Sequence, residues 1–250
     1  MIITDNSKDL FYSTIARHYS QIFPFHNEQL EFTAGAMNGL SGKSVLDVGC
    51  GIGELARRMG EAGATVTAFD LNKEMLAIAH KENSHAKVAY MWANMLHIVR
   101  YFGRAKFDGV VCYGNTLVHL LNPMQMRDFF SGVLTVLKPG GRFLLQILNY
   151  DFIVDRKLES LPVIEVDSLR FERFYQYEAT REITFKTRLT LKESGEVIEN
   201  SSELLGIGSD ELTLLMDVAG MKDIQFYGGF NREPFGGEHF PMVVSARKGI

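Results

Sequence analysis

Val45-Leu46-Asp47-Val48-Gly49-Cys50-Gly51-Ile52-Gly53-Glu54-Leu55-Ala56 is the stretch on which the fold of this chain turns. An apolar run feeds a turn with glycine at every second position. The helix that follows places Leu55, Met59 and Ala62 on one face and Arg57, Arg58 and Glu61 on the other. A second apolar run, Val66-Thr67-Ala68-Phe69, ends in Asp70. In an open α/β sheet this spacing brings a tight backbone cradle and a carboxylate together at the carboxyl ends of adjacent strands.

The same alternation extends outward. Strands are expected over 43–49, 65–70, 87–92, 107–113 and 142–148. Asn72 is placed to cap a helix reaching residue 82, and Asn122-Pro123 reads as an N-cap with proline at the first helical position. Lys138-Pro139-Gly140-Gly141 fits a turn. Five strands separated by helices imply a parallel, doubly wound sheet. Two helices, over 8–22 and 26–39, precede it.

Beyond residue 151 the pattern changes. Three β-prone runs, 170–179, 182–191 and 197–205, form an antiparallel insert with a turn at Ser194-Gly195. In the middle run Ile183, Phe185, Thr187, Leu189 and Leu191 share one face, the alternation of a half-buried strand. Ser209 is placed to cap a helix ending at Gly220, and strands over 224–229 and 242–246 close the chain.

With 250 residues and 46% hydrophobic content the chain supports a sizeable core. A net charge of -4 gives no basic footprint for nucleic acid. No apolar run approaches the ~20 residues of a membrane span. The N-terminus lacks the basic start and apolar stretch of a secretory signal. Cys50 and Cys112 fall on or beside core strands, as reduced thiols of a cytoplasmic protein would. No acidic cluster has metal-ligand spacing, so no metal is expected. Self-association is left open.

Gly51-Ile52-Gly53-Glu54-Leu55-Ala56 also fits the relaxed dinucleotide fingerprint. Three details oppose that reading: Asp47 precedes the glycines, the glycines stand one step early for a pyrophosphate turn, and about 40 residues precede the first strand. The Asp-x-Gly-x-Gly-x-Gly pattern instead resembles motif I of the class I S-adenosylmethionine (SAM) methyltransferases. The resemblance implies a seven-stranded Rossmann-like methyltransferase sheet with an antiparallel β insert after strand five. It divides the chain into an N-terminal helical lid (1–40), a SAM-binding core (41–151), the insert or cap (152–206) and a helix and strand pair completing the core (207–250). The cofactor would be SAM and the product S-adenosylhomocysteine (SAH).

Within that resemblance Gly49, Gly51 and Gly53 let backbone approach the methionine half, and Asp47 is placed for its ammonium group. Asp70 would accept from both ribose hydroxyls. Asn94 stands where an acid usually meets adenine, and Met95 and Leu71 would pack on the ring. Asn115, in Tyr113-Gly114-Asn115-Thr116, would face the methionine tail or the substrate. His119 is a candidate general base or a helix-lining histidine with a local partner. Tyr19 is the other candidate proton acceptor.

Gly114-Asn115-Thr116 together with Asn149-Tyr150-Asp151 resembles the glycine N-methyltransferase branch, and the insert resembles that of amino-sugar N-methyltransferases. This implies substrate contacts from Asn149 and Tyr150 and from Tyr12 on the first helix. Tyr175, in the insert, is a pocket-wall candidate or a cross-strand packing residue. The branch's carboxylate-pairing arginine aligns with Leu148, which disfavours glycine unless Arg170, Arg173 or Arg232 compensates; Arg173 is retained as a substrate-site candidate. The expected activity is methyl transfer to a small molecule, with an amine nitrogen favoured. An O-methyltransferase and a non-catalytic SAM- or SAH-binding regulator are the alternatives.

Overall fold

The computed structural model describes residues 12–177 and 182–250. Its central strand is β1 (Ser44–Val48), the apolar run before the glycine turn, buried over Val45 to Val48. β2 (Thr65–Asp70) and β4 (Phe107–Cys112) lie parallel on either side of it. β3 (Val88–Trp92) extends the sheet beyond β2, and β5 (Leu137–Leu148) lies beyond β4. The last strands, β10 (Lys222–Tyr227) and β11 (Pro241–Arg247), add an antiparallel edge, giving the order β10-β11-β5-β4-β1-β2-β3. The order reverses between β1 and β4. Their carboxyl ends therefore open into the crevice where ligands of such sheets bind.

Helices cover both faces. α1 (Tyr19–Ile22) and α2 (Asn27–Ala36) precede the sheet; α3 (Glu54–Glu61) follows β1 and α4 (Lys73–Glu82) follows β2. α5 (Ile98–Phe102), α6 (Pro123–Val136), α7 (Tyr150–Asp155) and α8 (Ser209–Ala219) complete the set. One core cluster contains Phe129, Phe130, Val133, Phe143 and Val244, all fully or almost fully buried. Each such side chain contributes ~1.5–3 kcal/mol by leaving water. On the opposite face Phe32, Ala56, Met59, Val66 and Val111 form a second cluster.

The insert is a separate antiparallel sheet, β6 (Ile164–Glu165), β7 (Leu169–Tyr177), β8 (Glu182–Leu191) and β9 (Val197–Leu205), in that order. Leu169, Phe171 and Leu189 on its inner face pack with Ile15, Ala16 and Ile22 of the N-terminal segment and with Met75 of α4. Burial of these residues ties the N-terminal segment to the cap.

Four local expectations are corrected. The first helix is not continuous: Ala16–His18 is a tighter 3-10 turn, and α1 restarts at Tyr19, although Ile15 and Ile22 remain buried. Its expected start, residues 8–11, lies outside the described residues, as do 178–179 at the end of the first insert run. β5 begins at Leu137 and runs through the expected Lys138-Pro139-Gly140-Gly141 turn. Gly140 takes a positive φ of 73°, the register shifts between Phe107 and Gly109, and Lys248 donates to the Gly141 carbonyl. That backbone partner makes the segment a bulged strand start. Ser209 does not cap α8. The cap position is Gly208, and the Asp151 carboxylate accepts from the Ser209 N–H at 3.0 and 3.2 Å. An acid from α7 thereby satisfies a helix N-terminus that local sequence leaves open. The short strand β6 was not expected; its pairing with β7 supplies what its own sequence does not.

Candidate active site

The turn after β1 is built from left-handed backbone. Gly49, Gly51 and Gly53 have φ of 71°, 54° and 81°, a region closed to most side chains. A Cβ on Gly49 would lie 2.5 Å from Thr116 Cγ2, and one on Gly53 would lie 2.5 Å from the Tyr90 hydroxyl. The turn is also tied from outside. The N–H groups of Gly49 and Cys50 both donate to the Phe69 carbonyl. Asp70 Oδ2 accepts from Gly51 N at 2.8 Å, and its Oδ1 accepts from Asn72 N at 2.9 Å. The Tyr90 hydroxyl donates to the Gly53 carbonyl, while Asn83 Nδ2 donates to that of Ile52. Asn72 caps α4 by accepting from Met75 N, which leaves Asp70 to order the turn.

One cavity of about 520 Å³ runs from this turn to the cap. Asp47, Gly49 and Cys50 lie at one end of its wall, Asn115 and His119 follow from the β4 end, and Arg173 and Phe185 come from the cap. Tyr12 and Tyr19 line it from the N-terminal segment. Asp47 is 3% exposed. Burial first, then the nearby Asp70 charge, pushes its pKa from 3.8 up to about 7, with no hydrogen bond among the described residues to offset them. A buried carboxyl facing a cavity is completed by a cation, and the methionine ammonium of SAM is one. This donor set and the side-chain-free turn fit SAM.

His119 ends a 3-10 turn after β4, and its Nε2 is 2.8 Å from the Tyr12 hydroxyl. The two rings meet edge to face at 5.6 Å. Burial holds the Tyr12 and Tyr19 phenols above their ordinary pKa, so both are neutral hydroxyls. Tyr19 stands over the turn, within 3.8 Å of where a Gly51 Cβ would sit.

Asn115 reaches the wall but its amide is committed: Oδ1 accepts from Leu148 N at 2.9 Å, and Nδ2 donates to the Tyr150 hydroxyl at 3.1 Å. Its φ of 67° sets this geometry, which clips the end of β4 to the end of β5. Asn94 likewise uses Oδ1 to cap the turn Met95–His97 through Leu96 N. Asp70, at the end of β2, and Leu71, Asn94 and Met95, just past the carboxyl ends of β2 and β3, lie outside the cavity wall.

Three expected substrate contacts lie behind the cavity wall. Asn149 is 1% exposed and absent from the cavity wall; it caps α7 and donates to the His239 carbonyl at 3.0 Å. Tyr150 is equally buried, supporting Asn115 from behind. Tyr175 is 5% exposed and packs against Phe185, the cross-strand alternative. For Asn149 and Tyr150 a local partner takes the polar group; for Tyr175 the ring packs on Phe185 while its hydroxyl is buried. Conversely, Gln146, Leu161, Ile164, Leu204 and Phe230 line the cavity without having been singled out as site residues. Gln146 Oε1 accepts from Gly114 N at 2.8 Å and shapes the β4 loop. Phe230 belongs to a Gly- and aromatic-rich loop, which is a weak sequence signal; the others carry none beyond alternation.

Cys50 and Cys112 are free thiols. Among the described residues, no group of three His, Cys, Asp or Glu side chains could hold a metal, and no helix is long and apolar enough to cross a membrane.

The family described as "Methyltransferase domain" matches residues 45–141. A ubiquinone biosynthesis O-methyltransferase of Vibrio parahaemolyticus is 30% identical over 170 residues, 65% of this chain and 70% of that protein. Its counterpart from Actinobacillus pleuropneumoniae is 33% identical over 156 residues, 58% of this chain and 65% of that protein. Other relatives are matched over less of their length, down to 41% for a methyltransferase of Bacillus subtilis. Among solved structures, the CcbJ methyltransferase of Streptomyces caelestis superposes with a TM-score of 0.80 at 21% identity, covering 96% of this chain and 98% of that one. SAM-bound CalS10 of Micromonospora echinaspora, an amino pentose methyltransferase, gives 0.69 at 17% identity, with coverages of 93% and 96%. At such identities the structural likeness shows the fold. With the sequence matches, this chain belongs to the methyltransferases. The dinucleotide reading of the glycine turn is set aside.

Proposed function

We propose that this chain transfers a methyl group from SAM to a nitrogen of a small organic acceptor bound between the glycine turn and the cap sheet. The observation that carries the reading is the continuous cavity with Asp47 and the turn at one end, the Tyr12–His119 pair on its wall and the cap at the other. SAM would supply an activated methyl group and its own leaving group, the S–CH3 bond electrons staying on sulfur as SAH departs. The protein's task is therefore position, exclusion of water and a place for a proton.

Asp47 would balance the ammonium charge, and Asp70, already fixed by two backbone N–H groups, would accept from the ribose. Asn94 and Met95 would meet the adenine. Tyr12 and Tyr19 close the cavity from the N-terminal segment. An amine attacks as the neutral base and sheds a proton afterwards. With His119 Nε2 as acceptor, that proton reaches the imidazole directly or across the Tyr12 hydroxyl. Solved neighbours include an amino pentose methyltransferase and, at TM-score 0.67 and 15% identity, a sugar N-methyltransferase of a Streptoalloteichus species. These accord with the glycine and amino-sugar branch.

Transfer to oxygen is the second reading, favoured by the likeness to the ubiquinone biosynthesis O-methyltransferases. A hydroxyl needs its proton removed during attack, and the same His119–Tyr12 pair would serve. Tritiated SAM offered with separate pools of amines and phenols decides the matter, with the methylated atom located by mass spectrometry. Label in the amine pool supports the first reading. Label only in the phenol pool supports the second, and tight SAH binding with no labelled product favours a regulator.

A further inference from the structure

β7 carries arginine on both faces. Arg170 is paired on one face with Glu165 at 2.9 Å and Glu172 at 3.2 Å. Arg173, of opposite parity along the strand, lines the cavity. Its Nη2 donates to the Pro162 carbonyl at 2.8 Å. Its Nε is buried and meets no acceptor among the described residues. Burial lowers its pKa, opposed by the Tyr175 phenol but by no carboxylate among the described residues.

Apart from the Pro162 carbonyl, the surrounding cap wall is apolar. Leu161, Ile164, Phe185 and Leu204 are the cap-side neighbours that line the same cavity. A half-buried guanidinium without a counter-charge is costly, and an apolar side chain of like volume would be tolerated better. The charge is therefore explained by a ligand that enters the cavity. Among the described residues lining it, Arg173 is the only lysine or arginine, whereas Asp47 and Glu54 are acidic. One cation suits a monoanion; a phosphate dianion would meet one positive group and two carboxyls. The planar fork of donors suits a carboxylate.

We propose that Arg173 is the anion subsite for the methyl acceptor, and that the acceptor is a small organic acid. Its carboxylate pairs with the Arg173 guanidinium, while its apolar part lies along Leu161, Ile164, Phe185 and Leu204. This inference rests on the methyltransferase reading and names the acceptor class for it.

The test uses the full chain loaded with SAH, titrated with benzoate, benzamide or inorganic phosphate and read by calorimetry and thermal shift. Benzoate is expected to bind and stabilise, benzamide to bind at least about tenfold more weakly, and phosphate not to compete with benzoate. Arg173→Met should lose the benzoate preference while keeping SAH affinity, and Arg173→Lys should keep part of it, since a point charge replaces the fork. Equal binding of benzoate and benzamide, no benzoate binding, displacement by phosphate, or an unchanged preference in Arg173→Met would each overturn the proposal. The comparison of benzoate with benzamide on the unmodified protein needs no variant to fold. Failure of the methyltransferase reading would show earlier in the same titration, as a lack of SAH binding.

Discussion

The glycine turn and the cap sheet share one cavity but hold their polar groups in opposite ways. Around the turn, polar side chains are spent on backbone: Asp70 on Gly51 and Asn72, Asn83 on Ile52, Tyr90 on Gly53, Asn94 on Leu96. On the inner side of the cap, Arg173 Nε and the Ser202 hydroxyl are buried without a hydrogen-bond partner among the described residues. The turn is preorganised before any ligand arrives, and the cap is left to be completed by one. Asp47 is the exception at the cofactor end, and it is the group there that a charged ligand would satisfy. A rigid cradle suits a cofactor of fixed shape, and a wall with open valences suits the variable half of the reaction.

Substitutions in the turn should have the largest effect. Gly49→Val adds a branched side chain where even a Cβ would overlap Thr116, at a φ of 71°. SAH binding by calorimetry should be abolished. Asp70→Ala should do the same by freeing two backbone N–H groups. Retained affinity in either variant would mean that the turn is less essential than its geometry implies.

His119→Gln tests the middle of the cavity. It should lower kcat about a hundredfold or more, the usual range for a lost proton acceptor, with SAH affinity unchanged. Tyr12→Phe removes the hydroxyl 2.8 Å away and should cost less, because a ring nitrogen remains. A larger loss in Tyr12→Phe would make the phenol the group nearer the acceptor.

Asp47 links the two ends through pH. Its folded pKa, about 7, lies above the ordinary 3.8, so the folded protein binds the extra proton between these values. Ligand-free stability is therefore fully present at low pH and declines as pH rises toward 7, by an upper limit of about 4 kcal/mol. A cationic ligand favours the ionised form. SAH affinity should then climb as pH passes through 7, level off above it, and release a proton detectable by calorimetry in buffers of different ionisation heat. Asp47→Asn should raise the melting temperature above pH 7 and flatten the pH dependence of binding. A wild-type affinity independent of pH would remove Asp47 from the ammonium site.

The smallest effect is expected behind the wall. Tyr150→Phe deletes one hydrogen bond to Asn115 and should cost about 1 kcal/mol in denaturant unfolding. Direct substrate contact from Tyr150 would instead appear as a raised KM with stability untouched.

The alternation of strands and helices, the position of the turn and the antiparallel insert were legible because each rests on local periodicity and on glycine's freedom at positive φ. The left-handed backbone at Gly49, Gly51 and Gly53 could be read for the same reason, since it is set within a few residues. Asn149, Tyr150 and Tyr175 could not be placed from sequence, because an amide or phenol suits a ligand and a buried neighbour equally. His239, Asn115 and Phe185, the partners that chose, lie on other elements. Arg170 and Arg173 were interchangeable as letters on one strand; pleat parity and the packing of the cap turned one toward two glutamates and the other toward the cavity. Sequence by itself determined where backbone bends and which faces avoid water. Tertiary structure decided which polar groups are already satisfied, because hydrogen bonds and counter-charges come from residues distant along the chain.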